Sequence, residues 1–178
     1  MTKNRKAVSP VIATVVLVAV AITIAVAVSY WMSGISSQYT RFEKVELTSA
    51  HCQYHDNLTE TWDESVFESN ETGWVITLDF RNTGTTEAAI INAFVNSKKI
   101  ADYGNTTNDC CCISAWEDEA TRIDFSNKEK VTCVAGKDDT IYIVIVDDDN
   151  IDFSSGTTVE VSLHSGAGNT YMKMITLS

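Results

Sequence analysis

Hydrophobic and polar positions follow two different patterns along this chain. Residues 11–28 contain only Val, Ile, Leu, Ala and Thr, and residues 11–32 read as continuously apolar. As a helix rising ~1.5 Å per residue, this stretch reaches about 33 Å, enough for a hydrocarbon core of ~30 Å. Twelve of the eighteen residues from Val11 to Val28 are Val, Ile or Thr, which prefer strands in water. In lipid a lone strand leaves its N–H and C=O groups unpaired at several kcal/mol each, whereas a helix satisfies them internally. The pattern therefore predicts a helix. Ile35, Tyr39 and Phe42 continue its spacing, extending the segment over 8–40. Tyr30 and Trp31 fall where an interfacial aromatic belt belongs, and Gly34 is expected to loosen the exit.

Beyond residue 41 the pattern changes to alternation. In Gly73–Asn82, Trp74, Ile76, Leu78 and Phe80 alternate with Val75, Thr77, Asp79 and Arg81, as in a half-buried strand. Strands are also predicted over 42–52, 87–95 and 99–103, with a turn at Asn96-Ser97-Lys98. Residues 140–146 are apolar on both faces and should be central. Val159, Val161 and Leu163 alternate with polar neighbours, and residues 166–169 turn the chain into a last strand over 170–177. Seven or eight short strands after one long helix give an α+β chain whose body, 41–178, is an antiparallel sandwich. Residues 53–72 read as a long surface loop.

Charge sharpens this division. Lys3, Arg5 and Lys6 precede the apolar run, and no charge follows until Arg41. The basic residues hold the N-terminus in the cytoplasm and place the body outside. The net charge is −11, and without those three residues the remainder carries −14. An acidic body excludes nucleic acid as a partner, since that needs a basic face.

A single N-terminal span has three uses: a cleaved secretory signal, a permanent anchor, or a helix that waits in the membrane and is later packed into a polymer. Ala25-Val26-Ala27 offers a signal-peptidase site, but the apolar run before it exceeds the usual 7–15 residues. Small residues form two rows at four-residue spacing, Ala19, Thr23, Ala27 and Ala21, Ala25, Ser29. Such rows let helix backbones approach closely, which in lipid supplies association energy.

Residues 3–14, Lys-Asn-Arg-Lys-Ala-Val-Ser-Pro-Val-Ile-Ala-Thr, followed by the Val/Ala/Ile helix, closely resemble the class III signal and N-terminal helix of archaeal type IV pilins and archaellins. The resemblance covers roughly residues 3–32. It implies a leader over 1–7, cut by a prepilin peptidase on the cytoplasmic side at Arg5-Lys6-Ala7 followed by Val8. The helix then stays on the mature protein. It also implies an immunoglobulin-like sandwich, self-association into a helical homopolymer with the help of pilus assembly machinery, and residence at the cell surface after a precursor stage in the cytoplasmic membrane. Ile12 stands where bacterial type IV pilins usually carry Glu, so bacterial assembly details do not transfer. Pro10 suits a helix start, where its missing N–H costs nothing.

The body carries further candidate chemistry. Cys52, Cys110, Cys111, Cys112 and Cys133, in an oxidising exterior, favour disulfides. The expected pairing joins Cys52 and Cys133 to members of the triplet, with connectivity open and one thiol left over. The rival is a metal site using Cys52, His55, the triplet and Cys133, but there is no paired C-x-x-C, and no metal or other cofactor is expected. Asn57, Asn70 and Asn105 head N-x-T sequons in expected loops. Residues 147–152 are rich in Asp but miss the EF-hand template, with Phe153 and Val159 where Gly and Glu belong, so they read as a solvated turn. His51, His55 and His164 have no neighbouring nucleophile motif, and no catalytic signature occurs. The expectation is a structural, non-enzymatic subunit of a pilus-like filament used in adhesion. Its alternatives are an archaellin of a motility filament and a membrane-anchored extracellular binding domain that never polymerises.

Overall fold

The computed structural model describes residues 10–62, 71–103, 113–147 and 153–178. The cleavage residues Arg5, Lys6, Ala7 and Val8, and Cys110, Cys111, Cys112, Asn70 and Asn105, lie outside these. The chain divides into two compact units, Met1–Arg41 and Phe42–Ser178.

The first unit is one helix, α1, Pro10–Tyr39. Thirty residues at ~1.5 Å each make it about 45 Å long. From Pro10, the first described residue, the helix runs on through Gly34 rather than loosening there. None of its residues is buried. Leu17 is 70% exposed, and Val11, Val15 and Ile22 are similar. A helix apolar on every side is stable only inside a protein core or in lipid. Three of its hydroxyls bond back within the helix: Thr14 donates to the Val11 carbonyl at 2.9 Å, Thr23 to Ala19 at 2.8 Å and Ser37 to Gly34 at 2.9 Å.

The second unit is an all-antiparallel sandwich. Ten strands occur among the described residues: β1 Val45–His55, β2 Gly73–Asn82, β3 Ala88–Val95, β4 Lys98–Lys99, β5 Ile113–Asp118, β6 Thr121–Ile123, β7 Val131–Cys133, β8 Asp138–Val146, β9 Thr158–Ser165 and β10 Thr170–Thr176. One sheet runs β1-β2-β8-β5-β6 and the other β10-β9-β3-β4, with β7 pairing β3 near its start. The β3–β4 hairpin closes over Asn96 and Ser97, both at positive φ (49° and 64°), the geometry a two-residue type I′ turn requires. Strand β8 lies in the middle of its sheet, as its two apolar faces predict. Its inward Ile141, Ile143 and Ile145 are fully buried and pack with Ile76, Leu78 and Phe80 of β2 and Val159, Val161 and Leu163 of β9.

The outward face of β8 explains a departure from the sequence reading. Val144 and Val146 join Val75, Trp116, Leu58 and Trp62 in a second apolar cluster. The described part of the stretch 53–72 is therefore no plain surface loop: β1 continues to His55, a 3-10 turn spans Leu58–Glu60, and Leu58 and Trp62 are buried to 0% and 5% exposure. Trp62 packs its ring against Trp116 and Tyr142, at 5.4 and 5.3 Å between centroids. The strand expected over 99–103 is two residues of β4 followed by a 3-10 turn, Ile100–Asp102. Strands β5, β6 and β7 had no clear alternating signal, because the last two are three residues long.

Candidate functional site

The helix is the element with the least explanation inside the chain itself. Its two small-residue rows are both helical. Successive residues are turned by about 100°, so rows offset by two positions face about 200° apart. Ala19, Thr23 and Ala27 thus occupy one side, and Ala21, Ala25 and Ser29 the other. A symmetric helix pair needs one such side, whereas a helix packed among several neighbours needs at least two. Neither side carries a charge, and Thr23 has turned its hydroxyl back onto the Ala19 carbonyl, which leaves its methyl as the packing group.

On the body, Cys52 and Cys133 are both free. Cys52 stands opposite Ile76, while the Cys133 carbonyl accepts from Asn82 Nδ2 at 2.9 Å. Six residues separate Ile76 from Asn82 along β2, about 20 Å, so these two cysteines cannot bond to one another, which needs Cα atoms within about 7 Å. Burial raises both thiol pKa values, and for Cys133 the carboxylates of Asp139 and Asp138 add to the effect. The C-x-x-H reading of Cys52 and His55 does not survive: both lie on β1, three residues apart, so they point to opposite faces of the sheet. Among the described residues no three His, Cys, Asp or Glu side chains converge.

Of the sequons, Asn57 is described. Its Oδ1 accepts from the Thr59 N–H at 3.1 Å and from the Thr59 hydroxyl at 2.6 Å. It caps the 3-10 turn, with Leu58 fully buried behind it. The Asp-rich segment begins at Asp147, whose Oδ2 accepts from the Tyr54 hydroxyl at 3.2 Å; its remainder lies outside the described residues. His164 stacks against Phe94, with centroids 4.2 Å apart.

The sequence reading passed over Asn82, a polar residue at 0% exposure. Its Nδ2 donates to the carbonyls of Thr86 (2.8 Å) and Cys133 (2.9 Å), and its Oδ1 accepts from Gly84 N–H (2.9 Å). It thus ties the end of β2 to the start of the other sheet. A Cβ on Gly84 would lie 2.6 Å from the Phe42 carbonyl oxygen and 2.7 Å from the Lys44 nitrogen, so the turn closing this knot has room only for glycine.

No protein-family model matches the chain, and no curated protein matches it. Solved structures similar to it include the archaellum periplasmic stator protein FlaG from Sulfolobus acidocaldarius. That match has 10% identity, covers 75% of this chain and 99% of FlaG, and has a TM-score of 0.39. The Iho670 flagellar-like filament is similar at 17% identity over 96% of this chain and 99% of its own, TM-score 0.35. The apo PCuAC domain from PmoF1 is similar at 10% identity over 77% and 98%, TM-score 0.41.

Proposed function

We propose that this chain is a structural subunit of an archaeal type IV pilus-like surface filament, polymerising through its N-terminal helix and serving adhesion rather than catalysis. The observation that carries the reading is α1: thirty residues, charge-free, with no buried side chain and small-residue rows on two opposite sides. A plain anchor needs the length and the apolar surface but not two close-packing sides. The basic-small-Ser-Pro start of the chain supplies the other requirement, a cut between Ala7 and Val8 that keeps the helix.

The precursor inserts with its N-terminus inside. A prepilin peptidase removes residues 1–7, and assembly machinery lifts the helix from lipid into a helical core. Lipid tails are as apolar as the helix, so the transfer gains little from the hydrophobic effect; close packing along the two rows must hold the core together. The acidic sandwich forms the outer layer, and its charge keeps that layer solvated.

Mass spectrometry of the mature N-terminus tests the route. A start at Val8 is expected. A start at Val28, after Ala25-Val26-Ala27, would remove the helix and refute the proposal. Negative-stain microscopy of sheared surface material is the second measurement, with this chain expected in filaments of helical symmetry; an intact leader and no filaments would point to a one-pass anchor instead.

A further inference from the structure

The two sheets of the sandwich differ in charge. Strands β10, β9, β3 and β4 carry Lys98, Lys99 and Lys173 against Glu160 alone. The other sheet carries Glu46, Asp79, Glu117, Asp118, Asp138 and Asp139 against Arg81 and Arg122. In a chain whose net charge is −11, the first sheet is thus net positive and the second net negative. The first sheet is also apolar on its outside. Met172 of β10, Ser162 of β9, Phe94 of β3 and Lys99 of β4 form one row across that face, and Met174 stands opposite Glu160 in another. Met172 and Met174 are 62% and 71% exposed, and Ser162, covered in its row, is at 5%. Neighbouring exposed apolar side chains rimmed by polar ones mark an interaction surface.

We propose that the basic, methionine-bearing face of the β10-β9-β3-β4 sheet docks against the acidic outer face of the β1-β2-β8-β5 sheet on a second copy of this chain. The charges select this occupant. On the acidic sheet Glu46, Asp79 and Asp138 stand in the outward positions of β1, β2 and β8, since Arg81 is the register partner of both Glu46 and Asp138 and alternates with the inward Phe80. Two copies meeting by like sheets set lysine against lysine or carboxylate against carboxylate, and such a pair closes after two subunits. Unlike sheets attract, and a contact between two different surfaces repeats without closing, which builds an open helical array.

The size of the face sets when it acts. Strands β10, β9 and β3 have seven or eight residues each. At ~3.3 Å per residue and ~4.8 Å between strands they present roughly 370 Å². A stable interface takes about 800 Å² from each partner. The contact is therefore too small to hold free chains together, and acts once α1 has brought two bodies side by side at high effective concentration. The inference rests on the filament reading: α1 supplies the polymer, and the unlike sheets fix how neighbouring bodies meet in its outer layer.

The test uses intact filaments sheared from the cells that make them. A carbodiimide joins carboxylates to amines in direct contact without adding a spacer. Peptide mass spectrometry is expected to find Lys99 joined to Glu46, Asp79 or Asp138. Lys99 and these carboxylates point outward from opposite sheets, which pack about 10 Å apart, so this bond forms only between copies. The Lys44–Glu46 pair within one chain is the internal control. Met172→Glu with Met174→Glu, both at exposed side chains, is expected to abolish or shorten the filaments. Urea unfolding of the unassembled variant in micelles should match wild type, as for other surface changes. Wild-type filaments in which the control reacts but Lys99 joins none of the three carboxylates overturn the inference and leave the filament reading standing, as do unchanged filaments in the double variant. Absence of wild-type filaments overturns both.

Discussion

Asn82→Ala is the substitution whose consequence follows most directly from the geometry. The side chain is at 0% exposure and makes three hydrogen bonds, two donated and one accepted, all to backbone groups of Thr86, Cys133 and Gly84. Truncation leaves those backbone groups without this partner, at about 1 kcal/mol or more each. A loss of about 3 kcal/mol is expected, which for a body of this size lowers the melting temperature by roughly 10 °C. Asn82→Asp separates hydrogen bonding from size. The carboxylate still accepts from Gly84, but it sets a negative charge against the Thr86 and Cys133 carbonyl oxygens in a buried place. Its folded pKa is therefore expected above the unfolded value of about 3.9. A raised acid pKa contributes stability below the unfolded pKa and loses it as pH rises. The deficit of Asn82→Asp relative to wild type should thus be largest at pH 7 and shrink toward pH 4. Urea unfolding of the full chain in micelles, followed by tryptophan fluorescence at both pH values, measures it. An Asn82→Ala loss below about 1 kcal/mol, or an Asn82→Asp deficit independent of pH, would refute this account.

Three further outcomes are expected. Ala21→Leu with Ala25→Leu fills one small-residue row; filaments should vanish from sheared material by microscopy, while the body's unfolding stays within about 0.5 kcal/mol of wild type. Trp62→Ala removes the cap over Trp116 and Tyr142 and should cost about 3 kcal/mol in urea unfolding, with hydrogen exchange accelerating first around Leu58. The raised thiol pKa values of Cys52 and Cys133 have a pH signature: above about pH 8.5 unfolded thiols ionise while the folded ones stay protonated. The unfolded state then binds fewer protons, so stability falls as pH rises. Cys133→Ser is expected to flatten that alkaline decline, measured by thermal melts between pH 7 and 10.

The sequence made some of this legible and hid the rest for identifiable reasons. The helix could be read because lipid leaves a single solution for a charge-free run of that length. Strands β2, β8 and β9 could be read because each buries a face long enough to show its period. The second apolar cluster was hidden because Leu58 and Trp62 sit alone among Thr, Glu and Asn. Two separated apolar residues carry no period, and only the outward valines of β8 reveal that something must cover them. That clue was present: residues 140–146 are apolar on both faces, and a sheet face of Val144 and Val146 cannot be left in water. Asn82 was hidden for the opposite reason, because a buried amide looks in sequence like any loop Asn.

The same distinction separates the helix from a cleft of about 430 Å³ at the end of the sandwich. Assembly through α1 depends on a repeated pattern along one element, so the order of its residues is enough to reveal it. The cleft depends on residues from four places in the chain, near 54, 74, 147 and 153, that come together because β1, β2 and β8 end on the same side. Nothing in the spacing of Tyr54, Trp74, Asp147 and Phe153 points to a site. Folding alone creates the juxtaposition: Tyr54 and Trp74 meet as register partners, and Asp147 accepts from the Tyr54 hydroxyl.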